Sequence, residues 1–354
     1  MSNDLAQEAR RQIEVCNACR YCEGYCSVFP AITQQKTFSD GDITQLANLC
    51  HNCRGCYYAC QYAPPHEFAL NVPAALAEVR LESWERFAWP GGVARLFQRN
   101  GLAMAMATVL GFTVLLGLIG AFRPQGGEGF YAVISHGLMV AIFVPAFLLP
   151  LAAVAVSLRR YWNSVGGEPV RLLHLLDAVH MAASLKDLSG GKGQGCNFEK
   201  GERYSNTRRW FHQAVLYGFA LCFAATAVGT IMHYIFDSVA PYPVFSLPKL
   251  LGIPGGVLMV IGCLGLLGLK AVADQSLGAR AARTGEVAFI VVLLLVSTSG
   301  LALWMATGTE WVRSLLALHL GSVLALFALI PYSKMVHGFF RLAALTRNAQ
   351  QRQK

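Results

Sequence analysis

A mainly α-helical chain in two parts is what these 354 residues predict: a small ferredoxin-like N-terminal domain fused to a six-helix transmembrane bundle. Two observations predict it. Cys16, Cys19, Cys22 and Cys26 read C-x2-C-x2-C-x3-C, and Cys50, Cys53, Cys56 and Cys60 repeat the same gaps. The chain is also 55% hydrophobic and only 14% charged, against about 25% charge in soluble domains. The apolar excess falls after the first hundred or so residues, in long uncharged runs.

The paired cysteine runs have the spacing of bacterial ferredoxins. Three close thiolates of a run hold one [4Fe-4S] cube, and the fourth crosses to the other. The crossover predicts one cube on Cys16, Cys19, Cys22 and Cys60, and a second on Cys50, Cys53, Cys56 and Cys26. Structural zinc is the competing reading, but zinc sites usually draw on two separated cysteine pairs. The opening MSNDLAQEARRQIEV has no apolar signal region, which places these thiols in the reducing cytosol and argues against a disulfide framework.

We expect the cluster domain and its linker helix to occupy residues 1–95 and the membrane domain residues 96–354. In the linker, Pro73 suits the first turn of a helix, AALAEVRLESWERF continues it, and Pro90-Gly91-Gly92 ends it. Trp84, Phe87 and Trp89 suit either a membrane interface or packing on the cluster domain.

Crossing a bilayer takes about 20 apolar residues. Six stretches qualify, at about 101–122, 130–158, 212–236, 252–269, 287–307 and 314–333. Pro145 and Pro150 predict a kink or an early exit near the end of the second. The fourth is glycine-rich, which suits close approach of helices in lipid. The cytoplasmic loop 159–211 contains a helical pattern, PVRLLHLLDAVHMAASL, and then LSGGKGQGCNFEKGE. The latter lacks G-x4-G-K-[ST], so it predicts no nucleotide. Cys196 reads as a loop residue, and His174 and His180, poorly spaced for one helix face, read as surface or packing residues.

The net charge is +9. Six spans starting in the cytoplasm put 17 Lys and Arg on the cytoplasmic loops and tail, against Arg123, Lys249 and Arg313 outside. This predicts a multi-pass protein of the bacterial inner (cytoplasmic) membrane with both termini cytoplasmic. It accounts for the basic balance without nucleic acid.

Histidine near hydrocarbon is costly and marks function. By depth, His212 at the start of the third span pairs with His337 after the sixth, and His233 pairs with His319. His136 is an alternative partner in the outer pair. Facing imidazoles on a helix bundle hold b-type haem. The depths predict one haem or two, with two favoured, the pairs lying about 27–32 Å apart along the helices.

The segments CNACRYCEGYC and LANLCHNCRGCYYACQYAPPHEFALNVP, with RRWFHQAVLYGFALCFAAT and LHLGSVLALFALIPYSKMVHGFFR, closely resemble the citrate/tricarballylate-utilisation protein B family over nearly the whole chain. The resemblance implies an inner-membrane electron carrier. It would reoxidise the flavin of a separate, soluble FAD-dependent tricarballylate dehydrogenase and pass electrons through iron–sulfur clusters and haem to membrane quinone. The membrane half is distantly similar to the haem b subunit of respiratory nitrate reductases, and the front half to the iron–sulfur parts of glycolate oxidase and heterodisulfide reductase. One departure from the ferredoxin pattern stands out: neither Cys26 nor Cys60 is followed directly by proline. No carboxylate or serine constellation suggests an organic-acid site on this chain. Two alternatives remain: a quinol-oxidising subunit feeding a soluble reductase, and a zinc-bearing membrane anchor or transporter.

Overall fold

A computed structural model describes residues 3–122, 129–190, 193–197 and 203–353. Arg123, Lys192, Lys200 and Lys354 of the charge count, and part of the glycine stretch, lie outside them. Among the described residues the chain is nearly all helix and has no strand.

Five helices build the N-terminal part: α1 (Asn3–Cys19), α2 (Val28–Thr33), α3 (Asp40–Leu49), α4 (Gly55–Tyr58) and α5 (Val72–Phe87). The start of α3 is a capping box. Ser39 and Asp42 satisfy each other's backbone N–H groups, which would otherwise go unpaired in the first turn. Asn71 caps α5 by accepting from Ala74 N at 3.2 Å, with Pro73 in the first turn. Ile13, Ile32, Ile43, Leu46, Leu76 and Val79 form the core between these helices.

That core does not stop at the membrane domain. It continues through Tyr161 of α7 (His136–Ser164) and Phe340 of α13 (Val336–Gln351). Phe87 meets Tyr161 at 5.9 Å and Tyr161 meets Phe340 at 5.0 Å between ring centroids. Trp84 and Phe87 are therefore buried in shared packing, while Trp89 is 46% exposed. Trp84 can be buried because its indole N–H finds a polar partner, Asn48 Oδ1, at 3.0 Å.

Six helices are long and apolar enough to cross a membrane. They are α6 (Val93–Phe122), α7, α9 (Thr207–Phe236), α10 (Leu247–Val272), α11 (Arg283–Met305) and α12 (Val312–Leu329). Non-helical torsions at Asn100 divide α6, so its first two turns serve as a lead-in and the apolar run follows. α7 continues through Pro145 and Pro150 to Ser164 with no early exit. In a bundle, neighbouring helices tolerate the hydrogen bonds that proline removes. α12 ends at Leu329, short of the expected 333, and a turn leads into α13.

The tightest packing joins α9 to the glycine-rich α10. A Cβ on Gly218 would lie 2.7 Å from Gly255 O, so only glycine lets these backbones meet. α6 and α11 meet the same way, with a Cβ on Gly101 reaching 2.6 Å from Gly285 Cα. Leu110, Leu118, Leu148, Phe223 and Ile261 stay exposed on the outside of the bundle, as lipid-facing side chains do.

The loop after α7 folds back as α8 (Leu172–Ser184), which lies on α13. His174 is 6% exposed, and its Nε2 lies 2.7 Å from Gln353 Oε1. It is a packing residue of this contact.

Candidate functional site

Cys16 and Cys19 lie in the last turn of α1, with Cys22 and Cys26 in the turns that follow, whereas Cys50 and Cys53 lie in the loop after α3, with Cys56 on α4 and Cys60 beyond it. In each run, the residue after the second cysteine is left-handed: Arg20 at φ 56° and Arg54 at φ 67°. Cys16, Cys19, Cys22 and Cys60 line a cavity of about 230 Å³, with Cys56 also on its wall. Burial pushes the Cys16 and Cys22 thiols up to about 12, and after burial Cys60 contributes most to both shifts. Burial pushes Cys26 well above its ordinary value too, and there the neighbours are Cys53 and Cys50. Cys56 rises for the same reasons, with Cys53, Cys50 and Cys26 beside it. Thiolates this close are costly without cations between them, and bound metal supplies those cations.

Among the described residues, no three His, Cys, Asp or Glu side chains converge on one ion. Two sets of four thiols match in number the corner ligands that two cubes take.

Cys50 and Cys53 are buried, while Cys16, Cys19, Cys22 and Cys60 are only partly so. The second loop faces the membrane domain, and side chains from both parts hold it. Arg80 Nη1 of α5 and Arg341 Nη2 of α13 both donate to Cys50 O, at 2.5 and 2.7 Å. Arg208 of α9 donates to Asn52 O at 2.9 Å and to His51 O at 3.0 Å. Asn197 N donates to Cys53 O at 3.0 Å, and its neighbour Cys196 is 2% exposed against the same loop.

Behind that loop lies a cavity of about 270 Å³ between the cluster domain and the bundle. His212 and His337 line it. Their ring centroids are 6.0 Å apart and their planes cross at 82°. Two metal–imidazole bonds of about 2.0 Å, plus the radius of each ring, add up to about 6 Å. The pair thus leaves room for one metal between them. His337 Nδ1–H donates to Lys334 O, which fixes the tautomer and leaves Nε2 with its lone pair. Burial first, then Lys334, pushes the His337 pKa well below its ordinary value, keeping the neutral form that ligates metal. Val215, Phe219, Leu266, Phe289 and Leu293 supply apolar walls. These residues fit a haem.

The remaining histidines are arranged differently from the depth pairing. His233 stacks on His136, with centroids 4.0 Å apart and planes at 28°. His136 Nε2 lies 2.9 Å from Tyr234 OH, and Tyr131 packs edge-on against both rings. His319 instead lies on Gly300, where a Cβ would come 2.9 Å from its Cε1, and its Nδ1 is 3.2 Å from Ser299 Oγ. Among the described residues, no ring contact joins His233 to His319.

Sequence reading missed His51 and the arginines. His51 lies inside the second cysteine run and lines the same cavity as His212 and His337, so its position in C-H-N-C was a usable signal. Arg80, Arg208 and Arg341 come from three distant helices and share no motif.

The fold and its sites define a membrane protein of six spans whose ferredoxin-like cysteine domain is docked on one end of the bundle. Residues 94–354 match the family model "Citrate utilization protein B", and residues 9–85 match its "Fer4-like domain". A relative described as "Citrate utilization protein B" in Escherichia coli is 44% identical over 345 residues, covering 96% of this chain and 91% of that protein. The chain belongs to the citrate utilization protein B family. No solved structure matches it. The Fer4-like match gives the N-terminal part an iron–sulfur, electron-transfer character.

Proposed function

We propose that this chain carries electrons across the membrane interface, from the reduced flavin of a soluble organic-acid dehydrogenase to membrane quinone. Cys16, Cys19, Cys22 and Cys60 would hold one [4Fe-4S] cluster, and Cys26, Cys50, Cys53 and Cys56 the other. His212 and His337 would be the axial ligands of a b-type haem. Clusters and haem exchange single electrons, so together they connect partners that each exchange two.

The observation that carries this reading is the placement of the second cysteine loop. It forms one wall of the cavity that His212 and His337 line, and three arginines from both sides tie it in place. The more exposed first loop, with Tyr21 at 68% exposure beside it, suits contact with a soluble donor. The charge count supports a cytoplasmic face for this end of the molecule and an inner-membrane location. The organic acid would be bound by the partner.

The test uses the full-length chain in quinone-containing vesicles, reduced by the partner dehydrogenase with its substrate. Cluster reduction, then haem reduction, then quinol formation is expected. Haem reduction by added quinol, with no reduction from the dehydrogenase side, would overturn the direction in favour of a quinol-oxidising subunit that feeds a reductase.

A second haem between His233 and His319 has less support, because His233 stacks on His136. An outer haem would need His319 and one of those two rings to turn toward each other.

A further inference from the structure

The charge inside the buried cavity is unbalanced. Eight Lys and Arg side chains line it against two acids. Both acids are engaged. Glu286 pairs with Lys270 and Lys334, and Asp274 Oδ1 accepts from Ser276 N and Oγ, both at 2.8 Å.

Three of the cations have a second role. Arg80, Arg208 and Arg341 are the guanidiniums that hold the carbonyls of Cys50, His51 and Asn52. Arg341 has donors to spare, since its buried Nη1 has no hydrogen-bond partner. Burial, then Arg80, pushes the Arg341 pKa down to about 10. A buried guanidinium donor without an acceptor is costly. The acceptor that best fits its fork is a carboxylate, held by paired N–H groups. A haem carries two carboxylates on one edge, and His212 and His337 open onto this same cavity.

We propose that Arg341, with Arg80 and Arg208, binds the propionate carboxylates of the haem held by His212 and His337. The proposal rests on the haem reading above. One set of guanidiniums then grips both the acidic edge of the haem and the backbone of the second cluster loop. This orients the propionates toward the cluster domain and couples the two cofactor sites mechanically. Fixed positive charge beside the haem also favours its reduced form and raises its midpoint potential.

The test titrates the full-length chain, produced without haem and purified in detergent, with protohaem and with its dimethyl ester, and follows the Soret band. The wild type is expected to bind the free acid roughly tenfold or more tighter than the ester, as charge-assisted hydrogen bonds require. Arg341→Gln should remove most of that preference and lower the haem midpoint potential, while Arg341→Lys should keep part of both. The EPR signal of the reduced clusters reports that the loop is intact. If Arg341→Gln loses that signal, Arg80→Gln supports the same comparison. Equal binding of acid and ester by the wild type, or a preference and potential unchanged in Arg341→Gln, would overturn the arginine assignment and leave haem binding standing. A Soret band of undiminished intensity in His337→Ala would instead sink the His212–His337 haem site on which it rests.

Discussion

His212 on α9 and His337 at the start of α13 face each other with ring centroids 6.0 Å apart and planes at 82°. The first helix is the third span, and the second follows the sixth span near the end of the chain. Their meeting point lies under the loop that carries Cys50 and Cys53. A metal held between these rings therefore sits next to the second cysteine set.

His212→Ala and His337→Ala should each remove the same haem. Loss of a mere supporting residue costs about 10–100-fold in metal affinity, and loss of a ligand costs more. Haem counted per chain should drop equally in both variants, with cluster EPR retained. Full haem content in either one would refute the pairing.

Cys60→Ser should damage the cluster held by Cys16, Cys19 and Cys22, and Cys26→Ser the one held by Cys50, Cys53 and Cys56. EPR of the reduced protein, each variant compared with the wild type and with the other, assigns the two signals. Clean loss of the second signal in Cys60→Ser would show that each run closes on its own cube.

His233→Ala should leave the haem of His212 and His337 at full occupancy, because His233 packs on His136 at the far end of α9. A haem count that falls by half, from two per chain to one, would show that the outer rings rearrange around a second haem.

Much of this arrangement was legible in the sequence. The cysteine spacing and six apolar runs set the two parts, and the depth of His212 and His337 anticipated their meeting. The outer histidines were not legible. Depth alone does not say which face of α9 His233 uses, and the stacking on His136 depends on where α7 packs. Arg80, Arg208 and Arg341 were invisible for a related reason. They converge only after α5, α9 and α13 assemble, and no local spacing marks them. Trp84 followed the expected packing on the cluster domain, through Asn48, in a core that also continues into the membrane domain through Tyr161 and Phe340.

Asn48 should matter for stability out of proportion to its size. Its side chain is 2% exposed, accepts from Trp84 Nε1 at 3.0 Å and donates to Ser83 Oγ at 3.1 Å. Asn48→Ala leaves the buried indole N–H without its acceptor and should cost about 1–3 kcal/mol. Thermal unfolding in detergent measures this, and an unchanged melting temperature would contradict it.

Gly218→Leu should separate α9 from α10, because even a Cβ there lies 2.7 Å from Gly255 O. Overpacking of this kind costs about 1–3 kcal/mol. It should also loosen the haem site, since His212 is on the same helix. Lower haem retention at elevated temperature is the expected readout, and wild-type retention would show that α9 can shift without moving His212.

The most direct measurement is an inventory of the purified full-length chain by absorbance and EPR, with iron, zinc, acid-labile sulfide and haem counted per chain. The account predicts about eight non-haem irons with matching sulfide, a Soret band that shifts on dithionite, and reduced-cluster EPR signals. A colourless protein that carries zinc, with neither a Soret band nor a cluster signal, would contradict it.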